Sequence, residues 1–188
     1  EELDSREKKQ VDRWFREQVR PVLSPLVVDL HHPFPHLPNK RLALALSLRQ
    51  GGEESFALLP LPGGLPAYFR LEEQGVRYIL LEDVLTYYAR EIFEQFSIAH
   101  TCVVSVTRNA DIDPEDESYE IDEDFRQHMR KLIKKRSRLA PVRLEVQGDR
   151  EDRLISFLCD KLELRREQVF FTRSPISLGY VFSVEALL

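Results

Sequence analysis

The sequence holds little of what a self-contained chemical site needs. Two cysteines, Cys102 and Cys159, stand far apart and each falls in an apolar run. That excludes a disulfide framework or a Cys-rich metal module, and predicts buried free thiols of a cytosolic protein. Seven glycines make neither a GxGxxG nor a GxxxxGK[ST] phosphate loop, and GxSxG, HExxH and CxxC are missing as well. No apolar run approaches the ~20 residues of a membrane helix, and no targeting segment is visible. The sole methionine is Met129, none opens the chain, and the last residues are the apolar Val184-Glu185-Ala186-Leu187-Leu188. A piece of a longer protein is the expectation. A net charge of −5 over 188 residues argues against a nucleic-acid binder. With 43% apolar residues, 31% charged and a mean hydropathy of −0.35, the chain is ordinary globular material, sized for one domain.

What is present is patterned. Ser5 offers a cap to a helix on which Val11, Trp14, Phe15 and Val19 share a face until Pro21 ends or bends it. Eight of the eleven prolines lie between Pro21 and Pro66. The densest stretch, His31 to Asn39, can be neither regular helix nor central strand, so an ordered loop or extended arm is predicted. From Leu42 the period becomes two, with Leu42, Leu44, Leu46 and Leu48 on one face. The small Ala43, Ala45 and Ser47 on the other would let a helix come close. Gly51-Gly52 and Gly63-Gly64 punctuate the following runs, 56–59 and 68–71, which predicts a β-meander. A short strand over 77–81, a helix from about Glu82 to Phe96 and a strand over 100–107 follow. The last alternates apolar residues on both faces, as a strand inside a sheet does.

Between Asp111 and Asp124 there are nine acids and no base, and between Arg126 and Arg138 seven bases and no acid. One long helix with its acids toward the N-terminus accounts for both blocks through the macrodipole. Pro141 ends it, a strand over 142–146 and a helix over 154–162 follow, then a strand at 169–171 and a short helix carrying Leu178, Val181 and Phe182. The order predicts an α+β fold: a mixed, partly antiparallel sheet with packed helices in a single domain.

Three constellations are candidates for chemistry. His31, His32 and His36 cluster in sequence, but the intervening prolines remove helical ligand spacing and no fourth ligand follows before residue 53, so no metal site is assigned. Asp111-x-Asp113-x-Glu115 has Asp116 where a calcium loop needs glycine, and Pro114 within it; a helix start capped by Asp113 is the better reading. Lys131, Lys134, Lys135 and Arg136 could form an anion-binding surface, although a basic run at a helix C-terminus is ordinarily a solvated face. Thr107-Arg108-Asn109-Ala110-Asp111 is compact and polar at a strand exit. It reads equally as a ligand-facing loop or as a turn tethered by its arginine.

Two stretches also carry a resemblance. His32-Pro33-Phe34-Pro35-His36-Leu37-Pro38-Asn39-Lys40-Arg41-Leu42-Ala43-Leu44 resembles the HPFPFxxNxxLNLA segment of bacterial polyphosphate kinases, and Val104-Ser105-Val106-Thr107-Arg108-Asn109-Ala110-Asp111-Ile112 resembles their FRVTRNADL segment. The acidic run, basic helix, VRLEV strand and closing PxxLxxVF come in the family's order. His36 stands where that family often has Phe, and Ser105 where it often has Arg. The resemblance implies the middle, or head, domain of a four-domain enzyme: residues 1–28 as the helix and linker arriving from an N-terminal domain, and 29–188 as the head. It further implies a parent phosphotransferase that moves the ATP γ-phosphate reversibly to polyphosphate through a phosphohistidine, with ATP and Mg²⁺ held elsewhere. This piece would itself hold no catalytic residue, cofactor or metal. Its partners would be the other domains of the chain, a second copy in a dimer or larger homo-oligomer, and polyphosphate and ATP for the parent. The location would be the cytoplasm, or the periphery of the inner membrane. Arg108, Asn109, Asp111 and Asn39 become candidates for an interdomain or ligand-facing loop. The alternative reading is a non-catalytic anion-binding or dimerisation module using 131–138.

Overall fold

The computed structural model describes residues 3–29, 32–71, 77–109 and 139–185. Helix α1 (Ser5–Trp14) is capped by Asp4, whose carboxylate accepts from the N–H groups of Arg6 and Glu7 at 2.7 and 2.8 Å, while Glu7 accepts in return from the N–H of Asp4. The cap is therefore one residue earlier than Ser5, because Asp4 has a capping-box glutamate three positions on. The helix widens into a π-helical turn over Phe15–Val19, tightens into a 3-10 turn over Arg20–Val22, and ends where Pro21 supplies no N–H.

A six-stranded sheet forms the centre. Its strands are β1 (Leu26–Val28), β2 (Leu42–Gln50), β3 (Glu53–Pro60), then, after a separate pair, β6 (Ser97–Arg108), β7 (Pro141–Gln147) and β8 (Val169–Thr172). The order across the sheet is β1-β3-β2-β6-β7-β8, and only β7 and β8 run parallel. Gly51 and Gly52 close the β2–β3 hairpin at φ 61° and 89°, the two positive values a tight primed turn demands. Strand β6 lies inside the sheet, between β2 and β7, as its two apolar faces predict.

The predicted meander is not formed. After Gly63-Gly64, β4 (Tyr68–Arg70) turns away from β3 and pairs with β5 (Tyr78–Leu80) in a two-stranded sheet of its own. The edge of β3 is taken instead by β1, with Val27 opposite Ala57. The helix expected from Glu82 is two short ones, α2 (Leu81–Tyr87) and α3 (Ala89–Ile92), broken at Tyr88.

The two faces of the sheet carry different cores. Leu44, Leu46, Leu48, Ala57, Leu59 and Val103 meet Val11, Trp14, Phe15 and Val19 from the N-terminal helix and Leu81, Val84, Leu85 and Tyr88 from α2 and the break after it. On the reverse, Ala43, Ala45, Leu58, Cys102, Val104, Val106, Leu144 and Val146 meet α4 (Asp152–Leu162) through Leu154, Ile155, Leu158 and Leu162. Helix α4 is the crossover between parallel β7 and β8, the connection such a pair needs. A last short helix, α5 (Tyr180–Glu185), leaves Val181 and Phe182 exposed. Both cysteines are buried and unpaired; burial pushes the Cys102 thiol up to about 12 and raises that of Cys159.

Candidate functional site

The proline-rich arm and the exit of β6, 69 residues apart in sequence, meet at one corner of the sheet. Leu37 is buried in the α4-side core and Phe34 lies edge-on to Phe157 of α4, with ring centres 6.0 Å apart, so the arm is docked through these two side chains. At its end the chain turns over Pro38–Arg41, where the N–H of Arg41 reaches the carbonyl of Pro38 at 3.3 Å. Lys40 takes φ 56°, a left-handed conformation that a non-glycine residue adopts only under constraint. The constraint is visible. Its N–H donates to the carbonyl of Val106 at 2.8 Å, and the Oδ1 of the preceding Asn39 accepts from the N–H of Arg108 at 2.9 Å.

Arg108 organises the corner. The β6–β7 ladder shifts register between Thr107 and Arg108, where Pro141, which has no N–H to give, stands opposite. The residue is 8% exposed, and its guanidinium donates from Nε to the carbonyl of Leu37 at 2.9 Å and from Nη1 to the carbonyl of Leu139 at 2.8 Å. The N–H of Asn109 closes on the carbonyl of Ala140 at 2.9 Å. One arginine thus ties three backbone segments: the arm, the strand exit and the chain re-entering before β7. Among the described residues its partners are neutral carbonyls, and burial lowers its pKa from the ordinary arginine value. This geometry favours the tethered-turn reading of Arg108 over direct ligand contact.

Of the residues singled out in sequence, Asn39, Arg108 and Asn109 therefore come together. Asp111 and the basic residues Lys131, Lys134, Lys135 and Arg136 lie outside the described residues, as does the acidic run. His32 sits on Asp29, Nδ1 to Oδ1 3.1 Å, with both exposed. Among the described residues no three His, Cys, Asp or Glu side chains converge as metal ligands.

Sequence reading missed the other side of the same turn. Lys40 and Arg41 line a cavity of about 160 Å³ together with Glu82 at the start of α2 and with Ser177 and Tyr180 from the C-terminal segment. Glu82 is 3% exposed; burial raises its carboxyl above the usual range, and the hydrogen bond from its own N–H offsets only part of that. The available signal was that Lys40 and Arg41 are the sole Lys or Arg between Pro21 and Leu48.

Fold and corner together define a class: an α+β domain whose mixed sheet is held by long-range tethers. The chain matches the family model described as polyphosphate kinase middle domain over residues 6–184. It belongs to that family. It is 33% identical over 189 residues to a polyphosphate kinase of Exiguobacterium sibiricum, covering 97% of this chain and 26% of that protein. It is 29% identical to one of Staphylococcus haemolyticus, over 93% of this chain and 24% of that one. The crystal structure of polyphosphate kinase from Porphyromonas gingivalis superposes with a TM-score of 0.68 at 19% identity, covering this whole chain and 26% of the other, which shows the shared fold. The chain spans about a quarter of the length of the relatives it matches. Among the described residues no helix is long and apolar enough to cross a membrane.

Proposed function

We propose that the chain serves as the head of a polyphosphate kinase, holding the parts of that enzyme in register while the phosphoryl transfer from ATP to polyphosphate, through a phosphohistidine and with Mg²⁺, proceeds on residues outside it. The family match over 6–184, in relatives about four times as long, carries this reading. In phosphoryl transfer the protein supplies positioning and charge neutralisation, and a rigid domain contributes to the first. Residues 1–28 would arrive from a preceding domain already packed on the head's sheet, and the head would contribute contacts between copies in a homo-oligomer in the cytoplasm or at the inner-membrane periphery.

The test is a pair of measurements on the purified chain. With ATP, Mg²⁺ and a polyphosphate primer, no net synthesis is expected. When the chain is mixed with the separately expressed remainder of the enzyme, co-elution on size exclusion and recovery of synthesis are expected. Robust turnover by the chain alone would overturn the reading, as would a remainder that is fully active without it.

A further inference from the structure

We propose that the Lys40–Arg41 turn and the opposing wall formed by Glu82, Ser177 and Tyr180 are a receptor for a phosphate-sized oxyanion. The two cations line one cavity, and neither side chain makes an ion pair or hydrogen bond among the described residues. Both side chains are exposed, and the turn that carries them is fixed by the bond of the Lys40 N–H to Val106 and by the Asn39–Arg108 bond. The Arg41 guanidinium lies against Gly63: a Cβ built on that glycine would come 3.2 Å from Nη2 and 3.3 Å from Nη1. Glycine at 63 therefore leaves the guanidinium room beside the cavity that it lines, and a planar fork matches two oxygens of a phosphoryl group.

The remaining wall decides the sign of the ligand. Among the described residues Glu82 is the sole acid lining the cavity, is buried, and lacks any hydrogen-bond donor except its own N–H. Burial raises that carboxyl above the usual range, which weakens its repulsion of an anion relative to an exposed glutamate. The hydroxyl of Ser177 adds a donor at the same cavity. The net charge of the lining is positive, and about 160 Å³ admits one phosphate group but not a nucleotide. Orthophosphate and one phosphate of a polyphosphate chain present the same oxygens; the second source rests on the function proposed above.

The experiment is calorimetric titration of the 188-residue protein with orthophosphate and, separately, with polyphosphate of defined length. Saturable binding of at least one is expected. K40M/R41M should weaken it at least about tenfold. G63A keeps both charges but makes the guanidinium give way by a few tenths of an ångström, and should weaken binding measurably but less than the double variant. K134Q/K135Q/R136Q should leave orthophosphate binding unchanged. Orthophosphate binding that depends on residues 40, 41 and 63 identifies the free ion as ligand; polyphosphate binding alone with that dependence identifies the chain. Binding of neither anion overturns the proposal, as does binding indifferent to both K40M/R41M and G63A, or lost only in the triple variant. If circular dichroism shows K40M/R41M unfolded, G63A decides. Turnover and co-elution with the remainder of the enzyme are untouched by any of these outcomes, so failure here leaves the assembly role to stand or fall separately.

Discussion

The two faces of the central sheet are built from alternate residues of the same strands, yet they are closed in opposite ways. On one, Leu44, Leu46 and Leu48 project into a layer of aromatics brought from far away in sequence: Phe15 stacks on Tyr88 with ring centres 3.9 Å apart, and Trp14 on Phe69 at 4.9 Å. On the other, Ala43 and Ala45 let α4 lie close, and the buried core is aliphatic, with Phe171 and the ring cluster of Phe34, Phe56 and Phe157 packed at its margin. A face of large residues needs large partners and tolerates truncation badly; a face of small residues needs nothing more and tolerates enlargement badly. The first face also takes two buried acids, Glu7 and Glu82, while the buried charge toward the second is Arg108 at the corner.

Truncation should have the largest effect, and on the first face. Phe15 is fully buried, so Phe15→Ala loses both its transfer free energy and the stack on Tyr88, and leaves a cavity between the N-terminal helix and α2. A loss of about 3–5 kcal/mol is expected in urea unfolding. A loss below about 1 kcal/mol would mean that the N-terminal helix is not part of this core.

Enlargement should cost less, and on the second face. Ala45 is fully buried opposite Leu58 and Cys102. Ala45→Leu pushes α4 outward and is expected to cost about 1–3 kcal/mol, with a fall in the near-ultraviolet signal from the aromatics at that face. If the same change is neutral, α4 is loosely seated and the contrast between the faces is weaker than the packing indicates.

The alternation that creates both faces was legible from Leu42 to Leu48, because a two-sided strand writes its period directly into sequence, and Gly51-Gly52 fixed its hairpin. Which distant segment covers each face was less legible. Ala43 and Ala45 announced a close helix, but nothing in Tyr68–Arg70 says that Tyr78–Leu80 is its partner in preference to β3, since three-residue strands carry too few side chains to specify a neighbour. Leu26–Val28 escaped notice between prolines for the same reason. At the corner, Asn39 and Arg108 could each be singled out from their motifs, whereas the bond between them depends on the arm doubling back and on the left-handed Lys40, neither of which has a local signature. Glu82 was readable only as an acid suiting a helix start; its burial is a property of the packed molecule.

The smallest effects concern the two acids of the first face, which should respond to pH with opposite sign. Arg77 grips Glu7 through Nε to Oε1 and through Nη2 to Oε2 at 3.0 Å, and this ion pair, with the N–H of Asp4, holds the Glu7 carboxyl below its ordinary value near 4.5. A depressed folded value means that the stabilisation is present above the unfolded value and is lost as pH falls through the folded one. Glu82 has no such cation, and burial raises it above the same 4.5. The folded state then binds the proton more tightly than the unfolded chain, so stability falls as pH rises from 4.5 through the raised value. Glu7→Gln should therefore lower the melting temperature at pH 7 and change it little at pH 2. Glu82→Gln should raise it modestly at pH 7 and leave it unchanged at pH 4. Thermal melts of the two variants across that range read both slopes. Parallel slopes would mean that Glu82 has a cationic partner in solution, and with it that the cavity behind Lys40 and Arg41 is already neutralised from within.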